Sequence, residues 1–377
     1  MRVLAFSLSL LAANALAGAA QSNPAEAGHG SPTVAADGQS TADSTDDPAS
    51  ASLAEISKTY NATLVQTLSD GADPRDWALA SLIYGTSRQA AASLIDRAAA
   101  AAPSDAMVQW IALTRFDDGH APADRGATAA ARLQVIEPDN VNAWMYPLMR
   151  ASRQHDEAGI DEAMQRMAQG TYTDEHWFDT QKALIEMFRR HPMPDAYFEI
   201  AASMKSDPAM PAMTAESAPY VASLAIVAAT GLPAYQWLVN ACKPHADSQP
   251  SAARIDECKK IGRIMAAKGS TLIANRIGFA LLRVSRTYTD DDEKLARSQD
   301  WIWEKSIGLS TPEHLSETKL IARANDEKAA GNELEAMRRE LVRENISVDP
   351  PAGWVDTRSP FSAERLQQDR AAAARAR

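Results

Sequence analysis

A chain of 377 residues, 45% hydrophobic and 23% charged, carries a formal net charge of −11. The acidic balance argues against nucleic acid or anionic lipid as the main partner, because both demand a basic face. Two cysteines, Cys242 and Cys258, with no Cys-x-x-Cys pair, argue against a redox or metal framework built on thiols.

Arg2 precedes an apolar run over 3–16, broken only by Ser7, Ser9 and Asn14, and small residues at 15–20 follow it. This is the pattern of a cleaved secretory signal, expected at 1–20. The run is shorter than the roughly 20 apolar residues of a membrane span. The mature chain is therefore expected to be periplasmic or secreted, without membrane insertion. Residues 21–50 lack aromatics and Lys or Arg and hold five acids (Glu26, Asp37, Asp43, Asp46, Asp47). Such a segment has too little apolar area to offset its ordering entropy, so a disordered acidic linker is expected. Without Arg2 and those five acids, the remaining body carries about −7.

From Ser52 onward the periodicity is helical, which predicts an all-α fold. Leu53, Ile56, Tyr60, Leu64 and Leu68 form one stripe, ended by Asp70, Gly71, Asp73 and Pro74. Trp77, Ala80, Leu82 and Ile83 make a short helix stopped by Gly85, and Gln89–Ala102 a second, stopped by Pro103. The order then recurs. Trp110, Ile111, Leu113 and Phe116 lead through Asp117–Gly119 to Ala129, Ala130, Leu133 and Ile136, closed by Pro138. Trp144, Tyr146, Leu148 and Met149 lead to Ile160, Met164 and Met167, closed by Gly170. Trp177, Phe178, Leu184, Ile185 and Phe188 follow, closed by His191 and Pro192. The four tryptophans thus step by 33, 34 and 33 residues, a spacing typical of stacked helix-turn-helix repeats.

Over about 70–200 the chain resembles the tetratricopeptide repeat family. The resemblance lies in this period, in Tyr84 seven residues after Trp77, in Ala91, Ile95, Ala98 and Pro103 of the second helix, and in Pro138-Asp139-Asn140 before Ala143-Trp144. The Leu-Gly pair that follows the family's tryptophan is missing, and Pro147 interrupts the third first-helix, so the repeats are degenerate. The resemblance implies helical hairpins stacked into a superhelix over 51–205. It also implies a concave face lined by side chains just after each tryptophan: Ile111 and Arg115, Met145 and Met149, Phe178 and Lys182. The family's carboxylate-clamping Lys/Asn set is not reproduced.

The regular spacing is lost over 206–345, where an irregular helical region is expected. Ser217 before Pro219 reads as an N-cap, and 220–229 as a helix apolar nearly all round and hence central. Cys242 and Cys258 flank a helix-breaking stretch and are expected to form a disulfide closing a loop of roughly 15 residues, worth about 3 kcal/mol. Helices are expected over 252–268, 272–282 and 290–307, and over the more charged 312–330 and 334–346, read as the outward-facing end. Residues 346–377 are expected to be a flexible Ala/Arg-rich tail.

The acid–imidazole clusters His155-Asp156-Glu157 and Asp174-Glu175-His176 lack the i, i+4 ligand spacing of a helical metal site and fall at inter-helix junctions. Helix capping is the expected role of both. Thr289 followed by four acids likewise reads as a capped N-terminus rather than a calcium loop. No nucleophile elbow, phosphate-binding loop or dinucleotide fingerprint occurs, and no cofactor or metal is expected. The reading is an exported, non-enzymatic module that binds a protein or peptide. The alternative is an envelope enzyme acting on a cell-wall or peptide substrate, with the helical array as scaffold.

Overall fold

The computed structural model describes residues 48–115, 123–203, 213–230, 233–244, 249–311, 314 and 316–354. The expected signal peptide, the linker up to residue 47, the Asp117–Gly119 turn and residues 355–377 lie outside them. The fold is all-α, and among the described residues there are no strands, only two isolated bridges.

The first helices are α1 (Pro48–Asp70), α2 (Pro74–Ala80), α3 (Arg88–Ala101), α4 (Ala106–Arg115) and α5 (Ala123–Ile136). The last three residues assigned to the linker, 48–50, are the first turn of α1. A 3₁₀ turn (Val141–Trp144) leads into α6 (Met145–Arg153), followed by α7 (Glu157–Met167) and α8 (Trp177–Arg190). Pro147 sits in the first turn of α6, where a missing N–H costs nothing.

Local chemistry repeats with the tryptophans. Asp73 and Asn140, each four residues before a tryptophan, accept from the backbone N–H two residues on. The Trp77 indole donates to the Gly71 carbonyl at 2.9 Å, and the Trp144 indole to that of Pro138 at 3.1 Å, six residues back in both cases. An arginine of the following helix lies over each ring: Arg97 over Trp77 at 3.5 Å, Arg166 over Trp144 at 5.5 Å. All four rings meet one core. Trp77 and Trp110 are buried in it with Leu79, Ile95, Val108 and Leu133, and Trp144 and Trp177 pack against it.

Neighbouring helices pack in sequence from α1 to α7, but α8 lies back against α2. Leu184, Met187 and Phe188 enter the first core, Arg190 pairs with Asp76 at 2.7 Å, and the Tyr60 hydroxyl donates to the His191 carbonyl at 2.6 Å. Helix α9 (Asp195–Ser203) packs on α1.

The C-terminal half comprises α10 (Ala218–Ala229), α11 (Tyr235–Cys242), α12 (Ala252–Lys268), α13 (Leu272–Val284), α14 (Asp290–Gly308), α15 (Glu317–Ala329) and α16 (Glu333–Arg343). A second core joins Met145 and Leu148 of α6 and Met164 and Met167 of α7 to Leu238, Ile261, Met265 and Leu281. Packing therefore runs across the division expected at residue 205. Cys242 and Cys258 are bonded and buried in that core, tying α11 to α12.

Four local expectations change. Ser217 heads α10 but makes no cap; its Oγ instead accepts from the Thr214 N–H at 3.0 Å. Helix α10 buries only the face carrying Tyr220, Ala222, Ser223 and Val227, while Val221, Leu224 and Ile226 are half-buried. The charges of α15 and α16 are not all outward: Arg323 meets Glu340 at 2.6 Å, and Glu340 also accepts from Ser306. The start of the expected tail is packed, with the Trp301 indole donating to the Ser347 carbonyl and Trp354 edge-on to Trp301 at 5.3 Å.

Candidate functional site

The loop 171–176 between α7 and α8 is the hub of the molecule. Its backbone bonds to the loop before the 3₁₀ turn (Thr171 N–H to the Asp139 carbonyl, 2.8 Å) and to the α12–α13 turn (Ser270 N–H to the Thr173 carbonyl, 2.8 Å). The Glu333 N–H extends the chain of bonds to the Ser270 carbonyl at 2.8 Å. Asn140 clamps the loop from the side, accepting the Asp174 N–H and donating to its carbonyl, both at 3.0 Å.

Three residues of this loop are buried, Thr173, Glu175 and His176, and the last two are ionisable. Glu175 is buried and accepts from the hydroxyls of Tyr235, Ser270 and Thr271, contributed by two separate segments. Burial raises its proton affinity, against the pull of those hydroxyls. Beside it, His176 is 97% buried and holds a left-handed φ of 51°, uncommon for a non-glycine residue. Its Nε2 meets Glu137 at 2.9 Å, and its Nδ1 faces Asp179 at 3.4 Å and Asp174 at 3.9 Å. Burial opposes charge on the imidazole, but Asp179 and Glu137 overcome it and its pKa is pushed up to about 10. The same contacts hold the Asp179 and Glu137 carboxyls below their ordinary range.

Capping thus accounts for only part of these clusters. Asp156 caps α7 through the Gly159 N–H at 3.0 Å, as expected. Asp174 accepts the His176 N–H at 2.9 Å, but His176 and Glu175 form buried polar contacts with partners 39 to 96 positions away. Thr289 and Asp292 make the expected box, the Asp292 carboxylate accepting the Thr289 N–H at 2.8 Å.

Two shallow crevices flank α8. One lies between α8 and α15 and includes Phe178, Gln181, Lys182, Ile185, Glu186, Arg189, Glu327 and Lys328 in its lining. The Glu327 carboxyl accepts from the Tyr220 hydroxyl and from the Gln181 amide, both at 2.9 Å, and burial pushes its pKa up to about 7. The other includes Trp110, Ile111, Glu175, Trp177 and Val227 in its lining.

Of the residues assigned to a concave face, the structure brings together only Phe178 and Lys182, on the first crevice. Ile111 lines the second. Met145 and Met149 are 5% and 4% exposed, inside the packing rather than on an open surface, and Ile111 and Phe178 are nearly as covered at 3% and 6%. Packing of α8 and α11 against the early helices takes up these positions. The Arg115 side chain lies outside the described residues. Sequence reading missed Gln181, Tyr220 and Glu327. The available signal was Glu327 falling at i+7 and i+3 from Leu320 and Ala324, an acid on an apolar face.

No helix among the described residues is long and apolar enough to cross a membrane. Compared with known protein families, characterised proteins and solved structures, the chain matches none of them.

Proposed function

We propose that this chain is an exported, periplasmic or secreted protein-binding module, built on degenerate repeats of the tetratricopeptide type, that captures a partner segment along α8. One observation carries the reading: the two buried carboxyls at the crevices, Glu175 and Glu327, are already engaged by the fold, while Lys182 and Arg189 line the crevice beside α8. Glu175 is held by three hydroxyls, and Glu327 by Tyr220 and Gln181. Catalysis needs such a group within reach of a substrate atom; contact recognition does not. Lys182 and Arg189 beside Phe178 and Ile185, with Lys328 paired to Glu186 at 3.8 Å, suit a segment that pairs an acidic side chain with an apolar one.

The enzyme reading draws on the raised proton affinity of two crevice carboxyls, Glu175 with Trp110 and Trp177 in one and Glu327 with Phe178 in the other. Charge reversal separates the two. Lys182→Glu with Lys328→Glu, on a chain shown to be folded by circular dichroism, is expected to weaken capture of the partner at least tenfold in affinity pull-downs. Unchanged recovery of the same partners would remove the α8 assignment.

A further inference from the structure

The contacts on the Nδ1 side of His176 are longer than the one on its Nε2 side. A charge-assisted N–H···O contact lies at about 2.7–2.9 Å, and the Nε2 contact to Glu137, at 2.9 Å, fits that. Nδ1 instead stands 3.4 Å from the Asp179 carboxylate and 3.9 Å from that of Asp174. Two ligand atoms bound at about 2.0–2.2 Å around a tetrahedral zinc ion are separated by about 3.4 Å. One ligand atom from each of Asp174, His176 and Asp179 lies within 4.8 Å of the other two. The imidazole is nearly buried, its side chain 4% exposed, and is aimed at these two carboxylates, while Asp179, 54% exposed, leaves a path from solvent.

We propose that Asp174, His176 and Asp179 form a binding site for a divalent first-row transition ion of the zinc class. One imidazole and two carboxylates are a donor set for such ions. Three protein ligands leave a further position for water. Glu137 acts behind the metal ligand: its carboxylate receives the Nε2–H and fixes the tautomer that presents Nδ1, an arrangement that metal-bound histidines commonly use. The balance of charge is favourable, since Glu137, Asp174 and Asp179 place three carboxylates around one imidazole. On binding, the metal takes the place of the Nδ1 proton, which leaves to solvent, while Nε2–H stays directed at Glu137.

The site escaped the i, i+4 criterion because its ligands come from a loop and the first turn of α8, at i, i+2 and i+5. The test is calorimetric titration of the chelator-treated full chain with zinc chloride. The expected result is one ion per chain, binding at least tenfold weaker in Asp179→Asn and 10- to 100-fold weaker in Glu137→Gln. Asp179 is exposed, so Asp179→Asn is expected to fold, and its circular dichroism and melting temperature check this directly. Cobalt(II) gives a second readout, visible absorption bands present in the wild type and lost in Asp179→Asn. A wild-type chain that takes up no zinc, or an Asp179→Asn chain that binds it as the wild type does, overturns the proposal.

Discussion

Replacing Gly278 with alanine is expected to lower folding stability by about 3 kcal/mol, read from the urea midpoint at constant slope. Helices α12 and α13 make their closest approach here. A Cβ at 278 would stand 2.3 Å from the Ala266 nitrogen and 2.6 Å from the Gly262 carbonyl oxygen, both backbone atoms that cannot rotate away. The helices would have to separate, pulling Leu281 out of the second core and Leu282 from its contact with Ala266 and Phe279. Alanine's better helix propensity returns only about 1 kcal/mol. Gly308 is the control, since a Cβ there would meet nothing within 4 Å; Gly308→Ala is expected to stay within about 1 kcal/mol of wild type. Equal behaviour of the two variants would mean that α12 and α13 do not meet backbone to backbone.

Glu327→Gln is expected to flatten the pH dependence of stability between about pH 5 and 7. The folded carboxyl is pushed up to about 7 by burial, above the ordinary value of 4.5. In that window the folded chain keeps a proton that the unfolded chain has released, so stability falls as pH rises through it. The loss is complete above the folded value and amounts to up to about 3 kcal/mol. The groups facing Glu327 are the Tyr220 hydroxyl of α10, Gln181 of α8, and the guanidinium of Arg323, which favours the charged form and limits the shift. Glu333 and Glu175 are also raised by burial and give wild type a similar slope. The difference between wild type and variant isolates position 327. Glutamine keeps the shape without ionising and can still accept from the Tyr220 hydroxyl, while its NH2 pairs with Gln181 once that amide turns its oxygen inward, so the variant is expected to be the more stable above pH 7. Parallel stability curves for the two proteins from pH 5 to 8 would place the Glu327 carboxyl in solvent.

The helices were legible because their signals are local. Proline at 74, the glycine at 85 and the threonine box at 289 delimit segments whose apolar residues recur every three to four positions. The tryptophan period was equally plain, and the rings do meet one core. What periodicity cannot carry is the return of α8 onto α2, which depends on pairings such as Arg190 with Asp76, 114 positions apart. That return, together with the packing of α11 on α6, explains why residues placed just after the tryptophans are covered. The hub was illegible for a related reason. Glu175, His176, Asn140 and Ser270 are loop residues of the types that cap helices and make turns, and their shared role emerges only when three loops meet. The acid on the inner face of α15 was visible in its spacing, but the surrounding charges made the whole helix look solvated.

Partner capture along α8 is tested most directly by placing a photo-crosslinking amino acid at position 182 in cells that make the protein. Position 58 on α1, whose lysine side chain is 78% exposed, serves as the reference. A discrete adduct with another protein from 182, absent from 58, is the expected result. No adduct from 182, or the same adduct from both positions, contradicts recognition at this helix.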